Sequence, residues 1–150
     1  MALKVGDKAP EVLGINQDGK ELKLSDYKGK KLVLYFYPKD NTSGCTAQAC
    51  NLRDNYSTLI DSGYEVIGVS ADSAKSHQGF IAKQSLPFQL IADTEKTLSE
   101  LFGTWGEKSM YGRKYMGMFR TTFIINEEGI IERIIAPKEI KTSDHTAQIL

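Results

Sequence analysis

With 150 residues, 41% of them hydrophobic and 25% charged, the chain has enough apolar material for one packed domain over residues 1–150 and needs no disulfide staples. Nineteen basic residues against nineteen acidic ones leave no net charge, which removes the electrostatic case for a nucleic-acid or anionic-membrane partner. No apolar run approaches the ~20 residues of a membrane span, and the opening Met1-Ala2-Leu3-Lys4-Val5-Gly6-Asp7 lacks the apolar core of a signal peptide, so a cytoplasmic address is expected.

Residues 11–24 read as two short strands around the turn Asn16-Gln17-Asp18-Gly19, and Ser25 to Lys30 as a loop. Leu32-Val33-Leu34-Tyr35-Phe36-Tyr37 has the length and the β-branched and aromatic content of a buried strand. Pro38 closes it, and a helix is expected from about 43 to 62, stopping at Ser62-Gly63. Tyr64 to Val69 is a further strand. Ser70-Ala71-Asp72-Ser73 caps a helix over 73–84. Phe88 to Ile91 is a short strand, and Asp93-Thr94-Glu95 opens a helix to Phe102. Residues 103–118 read as a loop rich in Gly, Met and Tyr. Phe119 to Ile125 and Ile130 to Ile135 form a hairpin across Asn126-Glu127-Glu128-Gly129. Lys141 to Leu150 closes the chain as a helix. Strands alternating with helices before a terminal hairpin give an α/β fold with a central mixed sheet flanked by helices.

Cys45 and Cys50 are the only two cysteines. They follow the buried strand at the start of a helix, where the helix dipole and unpaired N–H groups acidify a thiol into a nucleophile. On that helix Cys45, Ala49, Leu52, Tyr56, Leu59 and Ile60 fall on one stripe facing the core. Cys50 falls about 100° round from Ala49 and nearer solvent. Residues five apart on an intact helix have Cα atoms roughly 8–9 Å apart, beyond the ~7 Å that a disulfide spans. The two sulfurs join only if the first turns unwind. Thr42 is a good N-cap whose hydroxyl also lies within reach of the thiolate.

Pro38-x-x-x-Thr42-x-x-Cys45 resembles the active-site motif of peroxiredoxins, and the Cys50 spacing is similar to the bacterioferritin comigratory protein, or peroxiredoxin Q, branch. The likeness also takes in Val5-Gly6-Asp7-Lys8-Ala9-Pro10, Leu24 to Lys30, Gly68-Val69-Ser70-Ala71-Asp72, Leu86-Pro87-Phe88 and Arg120-Thr121-Thr122-Phe123. The resemblance implies a thioredoxin-like fold and a thiol peroxidase that reduces hydrogen peroxide and organic hydroperoxides. It implies that Cys45 is peroxidatic and Cys50 resolving, with an intramolecular disulfide recycled by thioredoxin or a similar dithiol protein. It implies that Pro38 shields the pocket, that Thr42 hydrogen-bonds substrate and thiolate, and that Arg120 stands beside them. No metal, flavin or haem is implied, and the branch is often monomeric, sometimes dimeric. In the family a second proline commonly follows the threonine; here Ser43 stands in its place, where it either loosens the start of the helix or itself becomes the N-cap.

Other readings stand beside this one. Cys45 and Cys50 also suit inert core positions, Thr42 a plain cap and Arg120 a strand-end surface charge. Zinc is disfavoured, because C-x4-C is not a tight ligand pair and His77 and His145 lie far along the chain; both histidines read as solvated or capping residues. A peroxide-responsive sensor or holdase would share the sulfur chemistry and differ in lacking turnover. Met110 to Phe119 reads as loop packing, a wall over Cys45, or a docking surface for the reductant.

Overall fold

A computed structural model describes residues 2–150. In chain order the strands are β1 (Val12–Ile15), β2 (Glu21–Lys23), β3 (Lys31–Phe36), β4 (Tyr64–Ser70), β5 (Gln89–Ala92), β6 (Trp105–Met110), β7 (Arg113–Met118), β8 (Thr121–Ile125) and β9 (Ile131–Ile135). The helices are α1 (Ser43–Asp54), α2 (Tyr56–Asp61), α3 (Ala74–Gln84), α4 (Thr97–Leu101) and α5 (His145–Ile149).

Five strands form a mixed sheet in the order β5-β4-β3-β8-β9. β3, β4 and β5 are parallel, while β8 runs antiparallel to β3 and β9 antiparallel to β8. The parallel pairs are those joined by helices, as the expected crossovers at α1–α2 and α3 require. β3 sits at the centre, and both of its faces are covered, which explains why it reads as an unbroken apolar run. Leu32, Leu34 and Phe36 point to one side, against Leu13, Leu98 and Phe102. Val33, Tyr35 and Tyr37 point to the other, against Cys45, Ala49, Leu52, Leu59, Phe80 and Ile149. This alternation assigns α1, α2, α3 and α5 to one face, and the β1–β2 hairpin with α4 to the other.

Four expectations are corrected. The helix expected over 43–62 is two helices broken at Asn55, whose φ of −113° and ψ of 14° leave the helical region. The Asn55 side chain donates to the Asn51 carbonyl at 2.8 Å, sharing that acceptor with the Asn55 N–H at 3.2 Å, a local side-chain bond of the kind that competes with regular helix. The stretch 103–118 is a two-stranded hairpin, β6 with β7. Its turn, Tyr111-Gly112, has φ of 53° and 76°, the double positive φ that suits the twist of a tight hairpin. The ribbon escapes a period-2 reading because most of its residues are exposed on both faces. The helix expected from Asp93 starts only at Thr97, because Asp93 caps it from upstream, accepting from Leu98 N at 3.2 Å and Ser99 N at 2.8 Å. At the chain's end, a 3-10 turn over Thr142–Asp144 precedes the short α5.

Candidate active site

β3 delivers the chain to the site. Past Phe36, Tyr37 keeps sheet pairing through its N–H to Val69 O at 3.0 Å, and Pro38, half-buried, turns the backbone out. Asn41 has φ of 63°, a left-handed conformation that asparagine tolerates better than most residues. Thr42 occupies the N-cap position with extended backbone. Its hydroxyl does not cap α1. It turns back and donates to Lys39 O at 2.8 Å, leaving oxygen lone pairs free as acceptors.

Cys45 lies in the first turn of α1 and is buried against the sheet. Arg120, just before β8, reaches it: Nη2 donates to Cys45 Sγ at 3.3 Å, and Nη1 donates to Gln48 Oε1 at 2.7 Å. Gln48, one turn after Cys45, is fully buried, and sequence reasoning missed it. A glutamine three residues beyond the cysteine, on its face of the helix, is the signal that was available. Gly44 makes room for the guanidinium, since a Cβ there would stand 3.3 Å from Arg120 Nη2.

Lys108 on β6 was also missed. Its stem runs over Gly117 and its ammonium stands 5.6 Å from the Phe119 ring centroid. Burial and then the nearby Arg120 charge push its pKa down, while the Cys45 sulfur pulls it back up. The hairpin therefore brings a second cation within electrostatic range of the sulfur.

Cys50 is half-buried and faces away from Cys45, with its Sγ donating to Gln84 Oε1 at 3.4 Å. Arg53 holds the same corner of α3, donating to Gln84 O at 2.7 Å. Both cysteines are free thiols on one unbroken helix. Cys45, Arg120 and Gln48 are thus brought together; Cys50 and the Thr42 hydroxyl are turned elsewhere.

Both histidines are fully buried, which corrects their reading as solvated residues. His77 Nδ1 meets Asp40 Oδ2 at 2.7 Å and Nε2 meets Ile91 O at 2.9 Å. Asp40 also accepts from Tyr37 OH at 2.6 Å and Ser76 Oγ at 2.8 Å. Burial raises the Asp40 pKa, but bonds from His77, Tyr37 and Ser76 outweigh it and hold the carboxyl below its usual range. This network ties the loop before α1 to α3 and β5. Asp40, Asp72 and His77 present ligand atoms within 4.8 Å of one another, yet those atoms are engaged: Asp72 Oδ2 accepts from Asp40 N at 2.8 Å and Ser70 Oγ at 2.7 Å. The cluster is a brace in its present form.

At the chain's end, His145 bonds Thr122 Oγ1 at 2.8 Å and Gln148 Oε1 at 2.9 Å. Asn51, next to Cys50, accepts from Thr146 N at 2.8 Å and donates to Ser143 O at 3.0 Å, fastening the C-terminal segment to α1. A cleft of about 330 Å³ between β1 and α4 involves neither cysteine nor Arg120. Among the described residues no helix is long and apolar enough to cross a membrane.

Comparison with known proteins bears on this arrangement. The AhpC/TSA family profile matches residues 5–134. Peroxiredoxin Bcp of Bacillus subtilis is 44% identical over 151 residues, covering 100% of this chain and 94% of that protein. A cysteine-to-serine variant of Xylella fastidiosa PrxQ superposes with a TM-score of 0.88 at 32% identity, covering 99% of this chain and 94% of the other. A structure of Xanthomonas campestris bacterioferritin comigratory protein, described in terms of alkyl peroxide reduction, gives a TM-score of 0.83 at 31% identity, covering 95% and 94%. The thioredoxin-like sheet, a cysteine at the first turn of the helix that follows its central strand, and these full-length likenesses agree: the chain belongs to the AhpC/TSA family, in the Bcp and peroxiredoxin Q group, and is a peroxidase.

Proposed function

We propose that Cys45 is the peroxidatic residue and Cys50 its resolving partner, acting on hydrogen peroxide and organic hydroperoxides. The observation that carries this reading is the guanidinium of Arg120 on Cys45 Sγ at 3.3 Å. It offers the anionic sulfur a charge-assisted partner at the positive end of α1. The thiolate attacks the nearer peroxide oxygen, an S–O bond forms, the O–O bond breaks, and the departing oxide takes a proton from water. Negative charge grows on that oxide in the transition state, and fixed donors lower the barrier there. Arg120, anchored at the sheet, supplies them. Thr42, whose own proton is committed to Lys39 O, accepts from the peroxide O–H and so orients it. Pro38 shields the mouth.

The product is Cys45 sulfenic acid. The Cys50 thiol then condenses with it: an S–S bond forms, the S–O bond breaks, and water leaves with the Cys50 proton. Because both sulfurs lie on one helix, the cycle needs a single chain and the first turns of α1 must melt. Ser43, in place of a proline at the first helical position, eases that melting. Thioredoxin or a similar dithiol protein reduces the disulfide by thiol exchange in the cytoplasm. The alkyl peroxide reduction ascribed to the Xanthomonas campestris relative supports the substrate class.

Intact-mass measurement tests the scheme. One equivalent of peroxide is expected to remove two hydrogens and join the Cys45 and Cys50 peptides, and Cys45→Ser is expected to abolish the change. A protein whose mass is unaltered by excess peroxide would overturn the reading.

A further inference from the structure

Tyr35 is fully buried, yet its hydroxyl has no hydrogen-bond partner. Leaving such a donor unpaired costs about 1–3 kcal/mol, and a group of this kind in a packed sheet calls for an explanation, a redox role being one. Its position points to one. Tyr35 is on β3, on the face that packs against α1, in the same buried cluster as Cys45. Its ring is pinned: it stacks on Tyr37 at 5.4 Å, meets Phe88 edge-on at 6.1 Å, and leans over Gly68, where a Cβ would lie 2.9 Å from its Cζ. The charged and ionisable groups that bear on its oxygen are Cys45, Asp40, Arg120 and Cys50. The cluster that buries Cys45 therefore holds an orphaned donor, carried by the strand that stays put while α1 unwinds. No hydrogen bond joins that donor to the Cys45 thiol.

We propose that the Tyr35 hydroxyl is the donor to the oxygen that Cys45 acquires as sulfenic acid, holding the S–O bond for attack by Cys50. This inference rests on the two-cysteine reading above. During disulfide formation the S–O bond breaks and the oxygen leaves as water with the proton of Cys50. Tyr35 keeps its own proton and stabilises the departing oxygen by hydrogen bonding alone. That restriction fits a phenol whose deprotonation is opposed above all by burial. The unpaired hydroxyl of the thiol state is thus the preorganised donor of the oxidised one.

Tyr35→Phe removes one oxygen and keeps the ring. Stopped-flow mixing with hydrogen peroxide, quenched for peptide mass mapping, separates Cys45 oxidation from Cys45–Cys50 disulfide formation. The first step is expected to stay within about twofold. The second should slow about tenfold, the weight of one ordinary hydrogen bond, and sulfinic Cys45 should accumulate. Thermal stability should hold or rise, because an unsatisfied group has been deleted. An unchanged rate of disulfide formation would overturn the inference and leave the two-cysteine scheme standing. So would a lowered melting temperature with both steps slowed alike, which marks a packing role. If wild-type protein forms no Cys45–Cys50 disulfide at all, both fall.

Discussion

Replacing Gly44 with alanine loads the turn that the proposed cycle requires to melt. Gly44 is the second residue of α1, and its φ is not in the left-handed range, so alanine fits the backbone. An alanine Cβ would stand 3.3 Å from Arg120 Nη2 and 3.9 Å from Cζ. The end of an arginine side chain can give way by the few tenths of an ångström this asks for. Alanine favours helix over glycine by about 1 kcal/mol. Placed on the folded side of the unwinding equilibrium, that energy cuts the unwound population roughly fivefold. Disulfide formation draws on that population, so it should slow by about the same factor. Oxidation of Cys45 should change by no more than about twofold, since Arg120 shifts without being lost. Arg120→Met sets the opposite extreme, because deleting a charge-assisted bond of about 1.5–3 kcal/mol slows the first step at least tenfold. Rapid-quench mass spectrometry at a fixed excess of peroxide gives the ratio of sulfinic acid to disulfide. Both products compete for one sulfenic acid, so this ratio should rise about fivefold in Gly44→Ala. Disulfide formation as fast as in wild type, in a variant whose melting temperature has risen, would refute the link between helix stability and resolution.

Lys108→Met should lower the ratio of iodoacetate to iodoacetamide reactivity at Cys45 about threefold, the effect of one partly screened charge; both reagents need the thiolate, so the ratio isolates the field at the mouth, and an unchanged ratio would exclude Lys108 from it. Acid should weaken the C-terminal segment. Burial pushes the His145 pKa below 6.5, its bond to Gln148 pulls back, and Arg120 and Arg133 push it further down. The unfolded chain therefore takes up this proton first, so stability is intact above about pH 6.5 and falls below it, by at most ~1.4 kcal/mol per pH unit. Asp40, with its pKa held below 3.8, contributes until the pH is lower still. Urea unfolding at pH 7.5 and 5.5 measures the difference, and an equal slope in His145→Gln would show that His145 is not its source.

Much of the sheet was legible because its strands carry their own pattern. Leu32 to Tyr37 announces burial on both faces, and Ser73 announces the cap that its Oγ makes with Ser76 N at 3.1 Å. The pairing of Arg120 with Cys45 was legible only through the family motif, because 75 residues of chain separate them and no local rule spans that distance. Asn55 was hidden because a side chain bonding the backbone carbonyl one turn earlier leaves no trace in hydrophobic spacing. The β6–β7 ribbon was hidden because a ribbon exposed on both faces lacks the alternation that betrays a strand, and with it went Lys108. His77 and His145 were misread since burial of a histidine depends on partners brought from elsewhere: Asp40 for one, Thr122 and Gln148 for the other.

The division of the site between sheet and helix has a mechanical consequence. In the proposed cycle Arg120 and Tyr35 belong to the framework, whereas the two sulfurs ride on an element that coils and uncoils with each turnover. Half of the machinery keeps its registration throughout, so the mobile half returns to a fixed template and the geometry is not rebuilt from nothing. Speed of recovery is then governed by how readily a single turn rewinds, and tuning that turn adjusts the tolerance to oxidant overload without touching the atoms that break the peroxide bond.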